Sequence, residues 1–449
     1  MSIEVHLDWQ GGPVLVGRLY PAGQGAAVTF EYDREWLNRP GSFSIDPTSL
    51  PSQPGPQHAP ALFGAMQDCG PDRWGRVLIE RAVRKRLLAA KPYRDLDYVL
   101  ALDDFSRIGA VRFRRSEGGG FLAEGGGRLP PVLRLGALVA AADAIHHETE
   151  TAQDLRFLLG AGSPLGGARP KSAIVLPSQA LAIAKFPKPD DTRDIAGGEI
   201  LALELARVAG ITTAEHQLVK AAGRHVAVIT RFDRAGAERI PFISAATLLG
   251  LAPGGAGSYT ALADGIRQHG HDVPGDLREM WRRMVFSLLA SNHDDHLRNH
   301  GFLLRAPGRW ALSPAYDLNP VPEIDRVAIA QTPIDDTGVP ASLEGALAVA
   351  ARFALGLAAA KAIVREVATA VGGWRAVGRR LKLGRSTLDA YASAFDHPLM
   401  TEARAISGRS ASVRTTPAWK PTAKAATAKP AASRLPTRTI PPRRRGISP

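Results

Sequence analysis

The sequence predicts an α+β chain in two lobes, the first rich in short strands and the second mostly helical. Three observations point there. Short apolar runs broken by Gly and Pro fill much of the first half, a helix-period apolar stripe takes over after residue 277, and 45% hydrophobic residues over 449 positions suffice for a core shared by two or three domains.

Residues 5–7, 14–19 and 27–32 read as strands between turns, with another at 109–113. Between them 74–88 reads as a basic amphipathic helix. The glycine-rich stretch 118–131 is a linker or loop, which sets a first unit at 1–117 and starts a second at 132. In that second unit 173–176 and 180–186 form a hairpin, a helix runs over 196–209 and stops at Gly210, and 225–231 is a further strand. This strand-rich lobe is placed at 132–235 and the helical lobe at 236–402. Asp276 and Glu279 have the spacing of a capping box, and Trp281, Met284, Val285, Leu288 and Leu289 share one helix face.

Charge is distributed unevenly. The formal net charge is +13, but residues 403–449 hold eleven Lys or Arg and no Asp or Glu, which leaves 45 basic and 43 acidic residues in 1–402. The tail is rich in Pro, Ala, Thr and Ser and reads as a disordered basic segment that cannot bury enough surface to offset its ordering entropy. The folded part is therefore nearly neutral, which argues against a nucleic-acid-binding surface spread over it. Cys69 is the sole cysteine, so neither an internal disulfide nor a cysteine metal cluster is expected, and a cytoplasmic location fits. The first ten residues carry Glu4 and Asp8 and lack the basic and apolar regions of a secretion signal. The apolar stretch 343–364 is interrupted by Glu344, Arg352 and Lys361, so no membrane span is expected.

The chemistry lies in four segments. Gly166, Gly167, Ala168, Arg169, Pro170 and Lys171 have the composition of a phosphate-cradling loop, although the spacing is not that of a Walker A motif. Lys185 ends a strand and Glu199 opens the next helix, as in the lysine–glutamate pair of kinases. Asp294 and Asn299 lie five positions apart, the spacing of a kinase catalytic aspartate and its magnesium-binding asparagine. A strand at 301–304 and a turn then return the chain to Asp317, a second metal-binding carboxylate. Together these residues make a bilobal, protein-kinase-like fold the expected architecture. A rival reading takes His293, Asp294, Asp295, His296 and His300 as zinc or manganese ligands of a hydrolase. It gives the glycine loop, Lys185 and Asp317 no role.

In these segments the chain closely resembles the HipA family of toxin kinases. The matching residues are Gly166 to Lys171, Ala182-Ile-Ala-Lys185-Phe, Gly198-Glu199 with Leu205-Ala206, Arg231-Phe-Asp-Arg234, Asp294-Asp-His-Leu-Arg-Asn299 and Ser313-Pro-Ala-Tyr-Asp317. Gly17, Tyr32 and Ile108-Gly-Ala110 resemble the family's N-terminal module, so the likeness covers roughly 1–380. The resemblance implies an ATP- and Mg2+-dependent protein serine/threonine kinase. Asp294 would be the catalytic aspartate with Arg298 beside it, where the family more often has Lys, and Asn299 and Asp317 the metal ligands. Lys185, Glu199, His296 and the 166–171 loop would serve the nucleotide, and Thr230 to Phe232 the hinge that meets adenine. It also implies a protein substrate, in some members an aminoacyl-tRNA synthetase, and a helix-turn-helix antitoxin partner, with DNA reached through that partner or weakly through the tail. Ser163 is offset from the family's autophosphorylated serine by Pro164 and Leu165. Two other readings are a small-molecule kinase of similar fold and a DNA-associated regulatory subunit.

Overall fold

In the computed structural model, residues 2–23, 25–123, 129–160, 169–252, 254–326 and 332–408 are described. Five antiparallel strands open the chain: β1 (Ile3–Trp9), β2 (Gly12–Pro21), β3 (Val28–Tyr32), β4 (Pro56–Ala59) and β5 (Val111–Arg115), in the order β4-β3-β2-β1-β5. Gln10 and Gly11 both take positive φ between β1 and β2, the geometry that suits the twist of a tight hairpin. Gly17 lets β2 pass β3, since a Cβ there would lie 2.3 Å from the Glu31 carbonyl oxygen. Val5, Leu7, Val16, Leu19, Phe30 and Phe113 bury one face. β5 begins two residues later than expected because Gly109, at φ +69, turns the chain first. The helix expected at 74–88 is Arg73–Arg84, started by Asp72, whose carboxylate accepts the Gly75 N–H at 2.8 Å.

A second sheet contains β6 (Lys171–Val175), β7 (Leu181–Lys185), β8 (His216–Ala221) and β9 (Arg224–Thr230), in the order β6-β7-β9-β8 and antiparallel throughout. The hairpin and β9 lie where the sequence places them. β8 is not anticipated by the sequence, because its side chains are half-exposed or exposed and show no clear apolar alternation. Trp74 and Leu78 of the first unit share a core with Leu138, Ile174, Ala184 and Val226, so the helix Arg73–Arg84 roofs this sheet. On its other side lies the helix Ile195–Val208. Gly198 is required there, as a Cβ would meet the Tyr391 hydroxyl at 2.2 Å.

A two-residue ribbon, β10 (Arg234–Ala235) with β11 (Glu238–Arg239), leads to a third sheet of β12 (Phe242–Ser244), β13 (Gly301–Ala306) and β14 (Arg309–Leu312). Helices dominate thereafter. Val273–Leu289 buries Leu277, Trp281, Met284, Val285 and Leu289, which is the expected stripe except that Leu288 is half-buried. Its cap differs from expectation, for Asp272 accepts the Gly275 N–H at 3.2 Å, while Asp276 turns inward to accept the Leu312 N–H at 3.2 Å and Glu279 pairs with Arg283. The 343–364 stretch becomes the helices Leu343–Ala348 and Leu357–Gly372, and no helix among the described residues is long and apolar enough to cross a membrane. The helix Pro398–Gly408 buries Met400 and Ala403, so the tail boundary set at 403 falls inside a packed helix. Residues 409–449 lie outside the described residues.

Candidate active site

Lys185, the last residue of β7, sits at the centre of a buried charge cluster. Its ammonium donates to Glu199 Oε1 at 2.5 Å and to Asp317 Oδ1 at 2.8 Å. Burial alone would lower the lysine pKa, but Asp317 and Glu199 outweigh it and hold the group above the ordinary lysine range, so it is charged. Burial raises the Glu199 pKa against the pull of Lys185. Asp317 stays below the usual carboxylate range, because Lys185 and then Lys171 overcome its own desolvation. Asp317 takes φ +56, a conformation Asp tolerates better than most residues, and the Asn319 side-chain amide donates to its Oδ1 at 3.0 Å. The expected pair of Lys185 with Glu199 is thus present, and Asp317, expected as a metal ligand, meets it at the same nitrogen.

The second half of the site follows the helix Val273–Leu289. Ser291 at φ +50 breaks the helix, and Asn292 Oδ1 accepts the Asn319 N–H at 3.1 Å, tying this segment to the one that carries Asp317. Asp294 is exposed. Its main-chain carbonyl accepts from Asn299 Nδ2 at 2.9 Å, and Asn299 Oδ1 is buried and has no hydrogen-bond partner among the described residues. Desolvation and then the charge of Asp317 raise the Asp294 pKa, while His296 pulls it down. Asp295 serves the scaffold instead. Its buried carboxylate lies 2.9 Å from His300 Nε2 and accepts from the Tyr259 hydroxyl, and Thr332 Oγ1 donates to its carbonyl at 2.8 Å. Those bonds brace the loop. Burial lowers the pKa of half-buried His293. Among the described residues no group of three or more His, Cys, Asp or Glu side chains is arranged to hold a metal ion, so the hydrolase reading lacks its ligand set.

A narrow pocket runs from Lys185 and Asp317 past Ile183, Ile229 and Tyr316 to Thr230, Arg231, Phe232 and Asp233. Phe232 and Tyr316, which both line it, stand with ring centroids 5.4 Å apart. The amides of Thr230 and Arg231 already bond to the carbonyls of Glu215 and Leu181. Lys171 faces Lys185 across the β6–β7 register and pairs with Asp72 at 2.5 Å. Arg169 pairs with Asp191. Arg298 is exposed and lines a separate cleft with Asp68, Arg76 and Ser244, although its carbonyl accepts the Tyr316 hydroxyl at 2.8 Å. Gly166, Gly167, Ala168 and Ser163 lie outside the described residues. Nothing in the sequence signalled a role for Asn319, two residues from the Asp317 carboxylate to which its amide donates, or for Asn292, whose side-chain oxygen accepts the Asn319 N–H.

The unpartnered Asn299 Oδ1 and the Asp317 carboxylate suit a hard cation, which takes oxygen ligands and completes its shell with phosphate and water. These oxygens are the donor type that magnesium takes.

Comparison with known proteins bears on the family and the fold. Residues 9–114 match the model of the HipA N-terminal domain and 163–374 that of the HipA-like C-terminal domain. A Haemophilus influenzae protein described as "Putative kinase" is 28% identical over 166 residues, an alignment that takes in 33% of this chain and 48% of that relative. The alignment thus spans about half the length of that curated relative. A chain from the Shewanella oneidensis MR-1 toxin–antitoxin complex of HipA, HipB and operator DNA superposes with a TM-score of 0.64 at 18% identity, covering 91% of this chain and 97% of that one. At that identity the likeness concerns the fold.

Proposed function

The chain belongs to the HipA family, and from that premise we propose that it is an ATP- and magnesium-dependent protein serine/threonine kinase. One observation carries the reading: Lys185 is held jointly by Glu199 and Asp317, while Asn299, in the segment that carries Asp294, presents a buried oxygen with no partner among the described residues. In this reading Lys185 binds the nucleotide phosphates and Glu199 keeps its ammonium in place. The apolar slot of Ile183, Ile229 and Phe232 receives the base. Asn299 and Asp317 hold magnesium, which when bound neutralises phosphate charge. Asp294 orients the acceptor hydroxyl and takes its proton. The raised Asp294 pKa suits that role, since a base works best with a pKa nearer the operating pH.

The acceptor is a protein hydroxyl, an aminoacyl-tRNA synthetase being one candidate, and the enzyme acts as a cytoplasmic toxin restrained by a DNA-binding antitoxin. The solved relative, captured with HipB and operator DNA, supports that partnership. Purified protein incubated with labelled ATP, magnesium and host lysate should phosphorylate serine or threonine of a discrete protein. Label appearing only in a small molecule would transfer the assignment to that acceptor class, and no transfer at all would refute it.

A further inference from the structure

Immediately past β9, the chain that closes the pocket is fastened to the amino-terminal module. The Arg231 and Asp233 side chains are 0% and 1% exposed. Arg231 donates to both Asp233 oxygens, at 2.8 and 2.5 Å, and to the carbonyls of Ser106 and Arg107. Asp233 Oδ2 also accepts the Gly109 N–H at 2.7 Å and a bond from Arg234 at 2.6 Å. Ser106, Arg107 and Gly109 all belong to the loop that leads into β5 of the first sheet, more than 120 residues earlier in the chain. A second carboxylate, Asp104, gathers Arg107 at 2.9 Å, Arg112 at 2.6 Å and Arg239 at 3.0 Å on the same interface. An apolar path runs in parallel. A Cβ on Gly109 would lie 3.2 Å from the Phe242 nitrogen, and the Phe242 ring stands 6.3 Å from Phe232, which lines the pocket.

Hinge contacts to a nucleotide base act over ångström distances, so whatever fixes the hinge fixes the base. A buried guanidinium bonded to three separate groups leaves Arg231 no alternative position that keeps its bonds. We infer that the amino-terminal module sets base recognition by this kinase, with Asp233 and Arg231 as the positioning residues that hold the hinge against the 103–110 loop. The inference rests on the kinase reading and adds to it a selectivity role for residues outside the phosphate and metal positions.

The test uses the full chain with magnesium, measuring the affinity for ATP, GTP and inorganic tripolyphosphate by calorimetry in wild type, Asp233→Asn and Gly109→Ala. Gly109→Ala keeps every charged side chain and instead strains the φ +69 turn, and with it the contact with Phe242 and the Gly109 N–H bond to Asp233, so it decides the matter if Asp233→Asn does not fold. ATP affinity should fall at least about tenfold, within the roughly hundredfold loss that a misplacement of about 1 Å can cause. The ATP-to-GTP preference should shrink with it and tripolyphosphate binding should hold. Unchanged ATP affinity and base preference in the folded variants would overturn the inference, as would an equal loss for tripolyphosphate. Wild type that binds no nucleotide would overturn the kinase reading itself.

Discussion

Asp294→Asn removes a carboxylate while keeping side-chain size. The Asp294 side chain is exposed, and the bond it lends the scaffold comes from its main-chain carbonyl, which accepts from Asn299 Nδ2 at 2.9 Å. The substitution therefore leaves no buried group unpaired, and stability should stay within about 0.5 kcal/mol. Loss of a general base costs roughly a hundredfold to ten-thousandfold in rate, or about 3 to 5 kcal/mol of transition-state stabilisation. Desolvation and the neighbouring Asp317 raise the Asp294 pKa above the usual aspartate range, so wild-type transfer should weaken as pH falls through that raised value. The variant's residual rate should be flat across the same window. Single-turnover transfer from labelled ATP, with calorimetry of magnesium–ATP binding, separates the step from the binding. Full-speed transfer by Asp294→Asn would refute the base assignment, and a loss of ATP affinity matching the loss of rate would move Asp294 from chemistry to binding.

Three further outcomes are expected. Lys185→Ala leaves Glu199 and Asp317 without their shared cation, so ATP affinity should drop at least about tenfold in a folded protein that urea titration finds weaker by about 3 kcal/mol; unchanged affinity would exclude Lys185 from the phosphate site. Burial raises the Asp276 pKa from 3.8 to about 6, so its neutral form contributes stability that is complete below about pH 4 and lost as pH rises through about 6. Asp276→Asn should accordingly stabilise the protein at about pH 8 by up to about 3 kcal/mol and change nothing below about pH 4, as read from urea midpoints across pH. Truncation after Gly408 should leave transfer intact, since every proposed site residue lies upstream, while salt-sensitive retention on DNA falls; a cut at 403 would instead expose the core around Met400 and Ala403.

Where the sequence misplaced an element, a long-range contact had overridden a local signal. Asp276 and Glu279 have capping-box spacing, but Asp276 is drawn inward by the Leu312 amide and Asp272 takes the cap. The residues after 402 have a tail-like composition, yet Ala403 is buried against the helical lobe. β8 shows no apolar alternation because its few apolar side chains are only half-buried, Leu218 against one core and Val219 and Ala221 against the other. The Arg231-Phe-Asp-Arg234 motif was visible in the sequence, whereas its role was not, since its partners lie in the 103–110 loop.

By itself the sequence determined the fold class and the residue types of the site. The 3.6-residue stripe of the helix Val273–Leu289, the hairpin that ends at Lys185 and the five-residue step from Asp294 to Asn299 are local patterns, written in neighbouring positions. Tertiary structure alone decided which of those residues share a bond. Lys185 and Asp317 are 132 positions apart and Lys171 and Asp72 are 99 apart, and such pairs form only when packed sheets and helices bring distant backbone together. The same packing, in a loop braced by Asp295, His300 and Tyr259, set the Asn299 amide on the Asp294 carbonyl and left its buried oxygen without a partner among the described residues.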